Sequence, residues 1–154
     1  MSKGKVLFVS KSNICRSPIA EYVFKDLIAG NIDELVECDS CATDPAHVGD
    51  DVLPEAVKLI KLQKQDCSGK KARLLTDSDI RNSDYIVCMD AADVKAVKAR
   101  GITGPKIGLL MDYAGGGEIP VISNSNDLDD AYTNIIKGCT GLSIQVVFDM
   151  DEGA

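Results

Sequence analysis

The sequence predicts an α/β fold: a single domain, residues 1–154, with a four-stranded parallel sheet and helices on both faces. Three observations predict it. Short apolar runs alternate with longer runs of helical period, the pattern of repeated strand–helix units and hence of a parallel sheet. The chain has 154 residues, 45% of them hydrophobic, enough for one sizeable core. The first apolar run, Val6-Leu7-Phe8-Val9, leads through a tight polar loop, Ser10 to Arg16, into an amphipathic run from Ile19 to Ile28. Strand, loop and helix in that order aim backbone N–H groups at an anion. Doubly wound sheets place ligands beyond the carboxyl ends of their strands, where this loop falls.

Lys5 to Val9 is the first strand, apolar throughout as a central parallel strand is. Arg16 closes the loop with a planar fork suited to phosphate-like oxygens. Ser17 suits the N-cap and Pro18 the first turn of a helix from Ser17 to Ala29, which Gly30 ends. Ile19, Val23 and Leu27 share one face of it. Leu35 to Ser40 is the second strand, and Asp44 to Asp51 is a loop. A second helix, Pro54 to Gln63, carries a stripe of Ala56, Leu59, Ile60 and Gln63. Thr76 to Ile80 reads as a short capped helix. Tyr85 to Met89 is the clearest later strand, with Asp90 at its carboxyl end. A helix from Ala91 to Arg100, stopped by Gly101, leads to a fourth strand, Lys106 to Leu110. The Gly115-Gly116-Gly117 run is a loop inside the domain. The last helix spans Asp127 to Val147, its middle weakened by Gly138 and Gly141 at about 1 kcal/mol each against alanine.

A net charge of −7 argues against nonspecific binding to nucleic acid or membrane surfaces, although a local loop can still be positive. No apolar run reaches the roughly 18 residues of a membrane span and no secretory signal opens the chain, so a cytoplasmic location is expected. The six cysteines, Cys15, Cys38, Cys41, Cys67, Cys88 and Cys139, lack the paired spacing of a zinc site, and the only histidine is His47. Neither metal nor cofactor is expected. Most of these thiols read as small buried hydrophobes, and His47 as a structural residue. Lys70, Lys71 and Arg73 read as a solvated basic face rather than an anion-steering patch.

The run Val6 to Glu21, VLFVSKSNICRSPIAE, resembles the signature of the low-molecular-weight protein tyrosine phosphatases: a Cys, five residues, an Arg, then Ser-Pro. Asn13, Cys15, Arg16, Ser17 and Pro18 match. The resemblance implies phosphate binding by Lys11, Ser12, Asn13, Ile14, Cys15 and Arg16. It implies catalytic roles for the nucleophile position, for Arg16 and for Ser17, which helps stabilise the nucleophile's anion. Phosphate or a phosphotyrosine-containing protein or peptide is the implied partner. The nucleophile position is Ser10, and the usual small Gly two places on is Ser12. Weaker likenesses follow. Ser40-Cys41-Ala42-Thr43 resembles a segment that crosses beside the loop, His47-Val48-Gly49 matches a later turn, and Met89-Asp90 opens a helix near the site. Ser68 to Leu75 matches with Lys70 in place of the usual His. Ala46 stands where a wall aromatic is common, which weakens the case for a flat aryl phosphate. Leu53-Pro54-Glu55 replaces Asp-Pro-Arg. In the family a Cys at the place of Cys15 can form a disulfide with the nucleophile; Ser10 removes that partner, leaving Cys15 as a packed loop residue.

The family's general acid is an Asp in a late Asp-Pro pair. Alignment on Glu118-Ile119-Pro120 puts Val121 at that position and Ile122 at its proline. Asp127, Asp129 or Asp130 could substitute, but they read better as first-turn charge or N-cap of the last helix. A serine hydroxyl is far less acidic than a thiol and needs a base, and none is visible in the loop. Loss of a general acid costs roughly 10² to 10⁴ in rate. The chain is therefore expected to bind phosphoryl groups with little turnover, as a pseudophosphatase binding module or as a phosphatase whose Cys is replaced. With Cys at position 10, phosphomonoester hydrolysis through a cysteinyl-phosphate is expected. Ser10 fits a natural serine and an engineered one alike. The departures at Ala46, Glu55, Val121 and Ile122 together favour drift from efficient tyrosine phosphatase chemistry. A thiol-dependent arsenate reductase, which shares the fold and loop, is disfavoured. Its later Cys pair is missing, since Cys139 is the next after Cys88.

Overall fold

The most apolar strand takes the middle of the sheet. In the computed structural model, which describes residues 4–153, β1 (Gly4–Ser10) lies between β2 (Val36–Ala42) and β3 (Tyr85–Cys88). β4 (Lys106–Leu109) lies beyond β3, giving the order β2-β1-β3-β4. Every pairing is parallel, with Phe8 level with Ser40 on one side and Val87 on the other. The chain steps from β1 to β2, then crosses back over β1 to β3. The carboxyl end of β1 is thus the switch point of the sheet, the place where a crevice opens.

Alternation along β1 divides the core. Val6 and Phe8 pack with Ile19, Val23 and Phe24 of α1 (Arg16–Ile28), Ile60 of α2 (Pro54–Leu62), and Ile135 and Leu142 of α5 (Ser125–Gly153). The rings of Phe8 and Phe24 meet edge to face at 5.7 Å. Leu7 and Val9 pack on the opposite face with Ile80 of α3 (Asp77–Asn82) and Val97 of α4 (Ala91–Lys98). The α/β class, the four parallel strands and the helices on both faces are as the sequence predicts. Among the described residues, no helix is long and apolar enough to cross a membrane.

Several local expectations are corrected. α1 begins at Arg16, with Cys15 at the N-cap and no side-chain cap. Ser17, expected to cap, has its hydroxyl engaged with Ser10 instead, so a tertiary contact has displaced the local one. Leu27, expected on the buried stripe, stands at the rim of a groove between α1 and α5. β2 runs two residues past Ser40 because its register pairs Ala42 with Ser10. Thr76 does cap α3, through a full capping box with Asp79.

α5 differs most. It starts two residues before Asp127 and continues to Gly153. Asn124 caps it, accepting the Asp127 N–H at 2.9 Å, while the Asp127 carboxylate accepts the Ser123 N–H at 3.0 Å. Gly138 and Gly141 do not mark a weak middle; they allow close approach to the 3₁₀ turn at Leu110–Ala114. A Cβ on Gly141 falls 1.9 Å from the Tyr113 carbonyl oxygen, and one on Gly138 falls 2.6 Å from Leu110 Cγ.

Candidate active site

The loop between β1 and α1 is held from outside by its neighbours. Thr43 N–H donates to the Ser10 carbonyl at 3.1 Å, Asp44 N–H to Lys11 O at 3.1 Å, and Leu53 N–H to Ile14 O at 2.9 Å. Carbonyls committed outward favour an interior lined by N–H groups, the character of an anion-binding nest. Asn13 takes the left-handed turn at φ +57°, a conformation asparagine tolerates better than most residues. Its own N–H donates to Ser10 Oγ at 3.2 Å.

The Asn13 side chain orients the hydrogen bonds around it. Oδ1 accepts the backbone N–H of Arg73 at 3.2 Å, which can only donate, so the other terminal atom is the amide nitrogen. Nδ2 then donates to Ser17 Oγ and to Ser40 Oγ, each at 2.9 Å. The Ser40 hydroxyl in turn donates to Glu21 Oε1 at 2.6 Å. Ser17 Oγ, with one lone pair taken by Asn13, lies 2.6 Å from Ser10 Oγ and can donate to it. Ser10 Oγ is thereby offered two donors, the Ser17 hydroxyl and the Asn13 N–H. That is the setting that stabilises an anionic atom at this position, yet the atom present is a hydroxyl oxygen in a residue only 2% exposed.

Behind this chain lies an ion-pair cluster. Glu21, buried in α1, meets Lys25 Nζ at 2.6 Å and Lys70 Nζ at 3.2 Å. Lys70 also reaches Asp39 at 2.9 Å and the Ser40 carbonyl at 2.9 Å. Arg73 bridges Asp39 at 2.7 Å and Asp79 at 2.8 Å. Burial pushes the Asp39 carboxyl up, but Lys70 and Arg73 outweigh it and hold the group down at about 2. The expected solvated basic face is therefore corrected: Lys70 and Arg73 are struts of the loop, and only Lys71, paired with Asp51, is exposed.

Arg16 is anchored by Nη1, which donates to Asp90 Oδ2 at 2.9 Å and to the Ile119 carbonyl at 2.7 Å. The structure thus brings Ser10, Lys11, Ser12, Asn13, Ile14, Cys15 and Arg16 around one cavity of about 150 Å³, with Leu53, Val121 and Ile122 as its apolar walls. Val121 stands at the mouth, 62% exposed. Asp127 does not line this cavity; its carboxylate is used in the cap of α5. His47 pairs with Asp50 on an exposed turn. Burial raises the Cys15 thiol to about 11, with the Arg16 charge opposing only in part, so it is neutral at pH 7.

Sequence reasoning missed Glu21, Lys70 and Asp93 as parts of this neighbourhood. Glu21 carried a signal, an acid inside the otherwise buried run from Ile19 to Phe24. Asp93 carried none, since an acid in a first helical turn is ordinary.

The family model for low molecular weight phosphotyrosine protein phosphatase matches residues 5–143. The chain belongs to that family. Low molecular weight phosphotyrosine protein phosphatases from Schizosaccharomyces pombe and Sus scrofa are 35% and 33% identical to it over 143 residues. The alignments cover 86% and 87% of this chain and 90% of each relative. The crystal structure of YfkJ from Bacillus subtilis superposes with a TM-score of 0.90 at 26% identity, covering 97% of this chain and 98% of that one. Asn13 and Arg16, two of the residues that carry the sequence resemblance, line the cavity, and Ser17, a third, stands behind it on Asn13. The chain puts serine and valine at the two positions to which the sequence resemblance assigns nucleophile and acid.

Proposed function

We propose that this family member binds phosphoryl groups carried by phosphotyrosine-containing proteins or peptides and turns them over little or not at all. The observation that carries the reading is the hydroxyl of Ser10, met by the Ser17 hydroxyl and the Asn13 N–H, at the floor of a cavity whose walls hold no base among the described residues. A phosphoryl dianion is held by N–H groups of residues 11–16 and by the Arg16 guanidinium. Attack by Ser10 Oγ requires loss of its proton. Lys11 and Arg16 are cations, Cys15 is a neutral thiol, and Leu53, Val121 and Ile122 are apolar. A departing tyrosyl oxygen receives no proton from Val121. Attack and departure are both unassisted.

With Cys at position 10, the donors from Ser17 and Asn13 instead stabilise a thiolate, and hydrolysis by way of a cysteinyl-phosphate follows. In that setting Ser17 and Arg16 act on the nucleophile and the phosphoryl oxygens respectively. The cytoplasmic location expected from the sequence is part of this proposal.

Calorimetry with a phosphotyrosine peptide and its unphosphorylated twin tests the reading. Only the phosphorylated peptide is expected to bind, and Arg16→Ala is expected to weaken it by roughly 10- to 100-fold, the worth of charge-assisted hydrogen bonds. Equal binding by Arg16→Ala means that the loop is not the site.

A further inference from the structure

Asp93 sits behind Arg16 and takes no part in lining the cavity. It lies in the first turn of α4, and its N–H donates to Asp90 Oδ1 at 3.0 Å. The residue is 2% exposed. Its Oδ2 has no hydrogen-bond partner among the described residues. Thr43 Oγ1 donates to its Oδ1 at a long 3.5 Å, and the Asp90 carboxylate lies within reach of a hydrogen bond from the Asp93 carboxyl once that is protonated. A buried carboxylate in that position loses its hydration with nothing to replace it, so a proton is the natural remedy.

The groups that face it come from each element nearby. Asp90 is on its own helix and Arg16 comes from the start of α1. Cys88 ends β3, with Lys98 of α4 acting on the same thiol. Thr43 follows the end of β2, and Cys41 of β2 lies against Cys88. Burial keeps both thiols neutral, Cys41 pushed up to about 12 and Cys88 higher. Asp90 and Arg16 therefore decide the local field. Burial first, and then the Asp90 charge, raise the Asp93 carboxyl to about 7, with Arg16 only partly opposing. Asp90 itself is pushed up by burial but held below the ordinary range by Arg16 and by the Asp93 N–H.

We propose that Asp93 is a positioning residue for the anion site, acting through Asp90. Neutral, it leaves Arg16 facing a single carboxylate; ionised, it sets a second negative charge behind the guanidinium and weakens the hold on an anion. The inference rests on the anion-binding reading of the loop. Proton and anion are then linked: each raises the affinity for the other by the same factor.

Inorganic sulfate is the probe, because it keeps its charge across the neutral range where phosphate does not. Its affinity for the full chain is measured by calorimetry from about pH 5.5 to about pH 8.5, for the wild type and for Asp93→Asn. Wild-type affinity is expected to fall about tenfold across that range, an ordinary size for coupling between sites. Asp93→Asn lacks that inflection, and binds at high pH as the wild type does at low pH. Carbon-13 NMR follows the Asp93 carboxyl directly; it titrates near neutrality without sulfate and at higher pH with it. Sulfate binding with the same pH profile in both proteins overturns the proposal, as does an Asp93 carboxyl that titrates in the ordinary acid range. No sulfate binding at any pH overturns the anion-binding reading itself, and the proposal with it.

Discussion

Removing the Asn13 side chain measures how the loop is held. It makes three hydrogen bonds: Nδ2 to Ser17 and Ser40 at 2.9 Å each, and Oδ1 from the Arg73 N–H at 3.2 Å. A neutral hydrogen bond is worth about 1 kcal/mol net, so loss of the carboxamide costs about 3 kcal/mol. The backbone adds to this for alanine but not for glycine. The left-handed turn at φ +57° costs an L-residue about 1–2 kcal/mol, and glycine's larger unfolded-state entropy returns about 0.5–1 kcal/mol of that advantage. Asn13→Gly is therefore expected to lose about 3 kcal/mol and Asn13→Ala about 3.5–4 kcal/mol. Urea denaturation at matched m-values reads both. Losses under about 1 kcal/mol in both variants would refute the hydrogen-bond network. A glycine variant no more stable than the alanine variant would refute the backbone part.

Gly141→Ala gains about 1 kcal/mol of helix propensity but sets a methyl 1.9 Å from the Tyr113 carbonyl oxygen; a net loss of about 2 kcal/mol is expected by thermal unfolding. Gly138→Ala meets the flexible Leu110 side chain first and is expected to lose less; a raised Tm for Gly141→Ala contradicts the packing described. Lys70→Ala deprives buried Glu21 of one of two cations and Asp39 of one of two, and is expected to cost about 2 kcal/mol in urea and to weaken phosphate binding. No change in either points back to a solvated lysine. Asp93 has a folded-state pKa raised above its unfolded value, so its contribution to stability is full below about pH 4 and is lost as pH rises to about 7. Asp93→Asn is thus expected to gain on the wild type by on the order of 2–4 kcal/mol between pH 4 and pH 8. A difference between the two proteins that stays constant with pH sinks this.

The strand–loop–helix that organises the site was legible because its residues are contiguous. An anion loop needs a short apolar strand, a tight turn and a helix start in that order, and Val6 to Ile28 supplies them. Val121 and Ile122 could be placed near the loop by counting from a resemblance, and both line its cavity. What stayed hidden depends on partners distant in sequence. Lys70 and Arg73 look solvated because Glu21, Asp39 and Asp79 do not lie beside them in a local run. Ser17 looks like a helix cap because local rules cannot see Ser10 across the loop. Gly138 and Gly141 look like helix weakeners because propensity scales do not know that Leu110 and Tyr113 pack against them. Asp93 looks like first-turn charge because burial is a property of the assembled corner, not of the tetrapeptide.

The role of serine at position 10 is tested most directly by para-nitrophenyl phosphate hydrolysis, the Ser10 protein beside Ser10→Cys. This ester has a leaving group that departs without a proton, so the valine that the resemblance aligns with the acid position does not mask the result. Ser10→Cys is predicted to hydrolyse it, while the Ser10 protein is slower by several orders of magnitude. Comparable turnover by the two proteins would contradict the assignment, because the serine would then have a base that the cavity walls do not show.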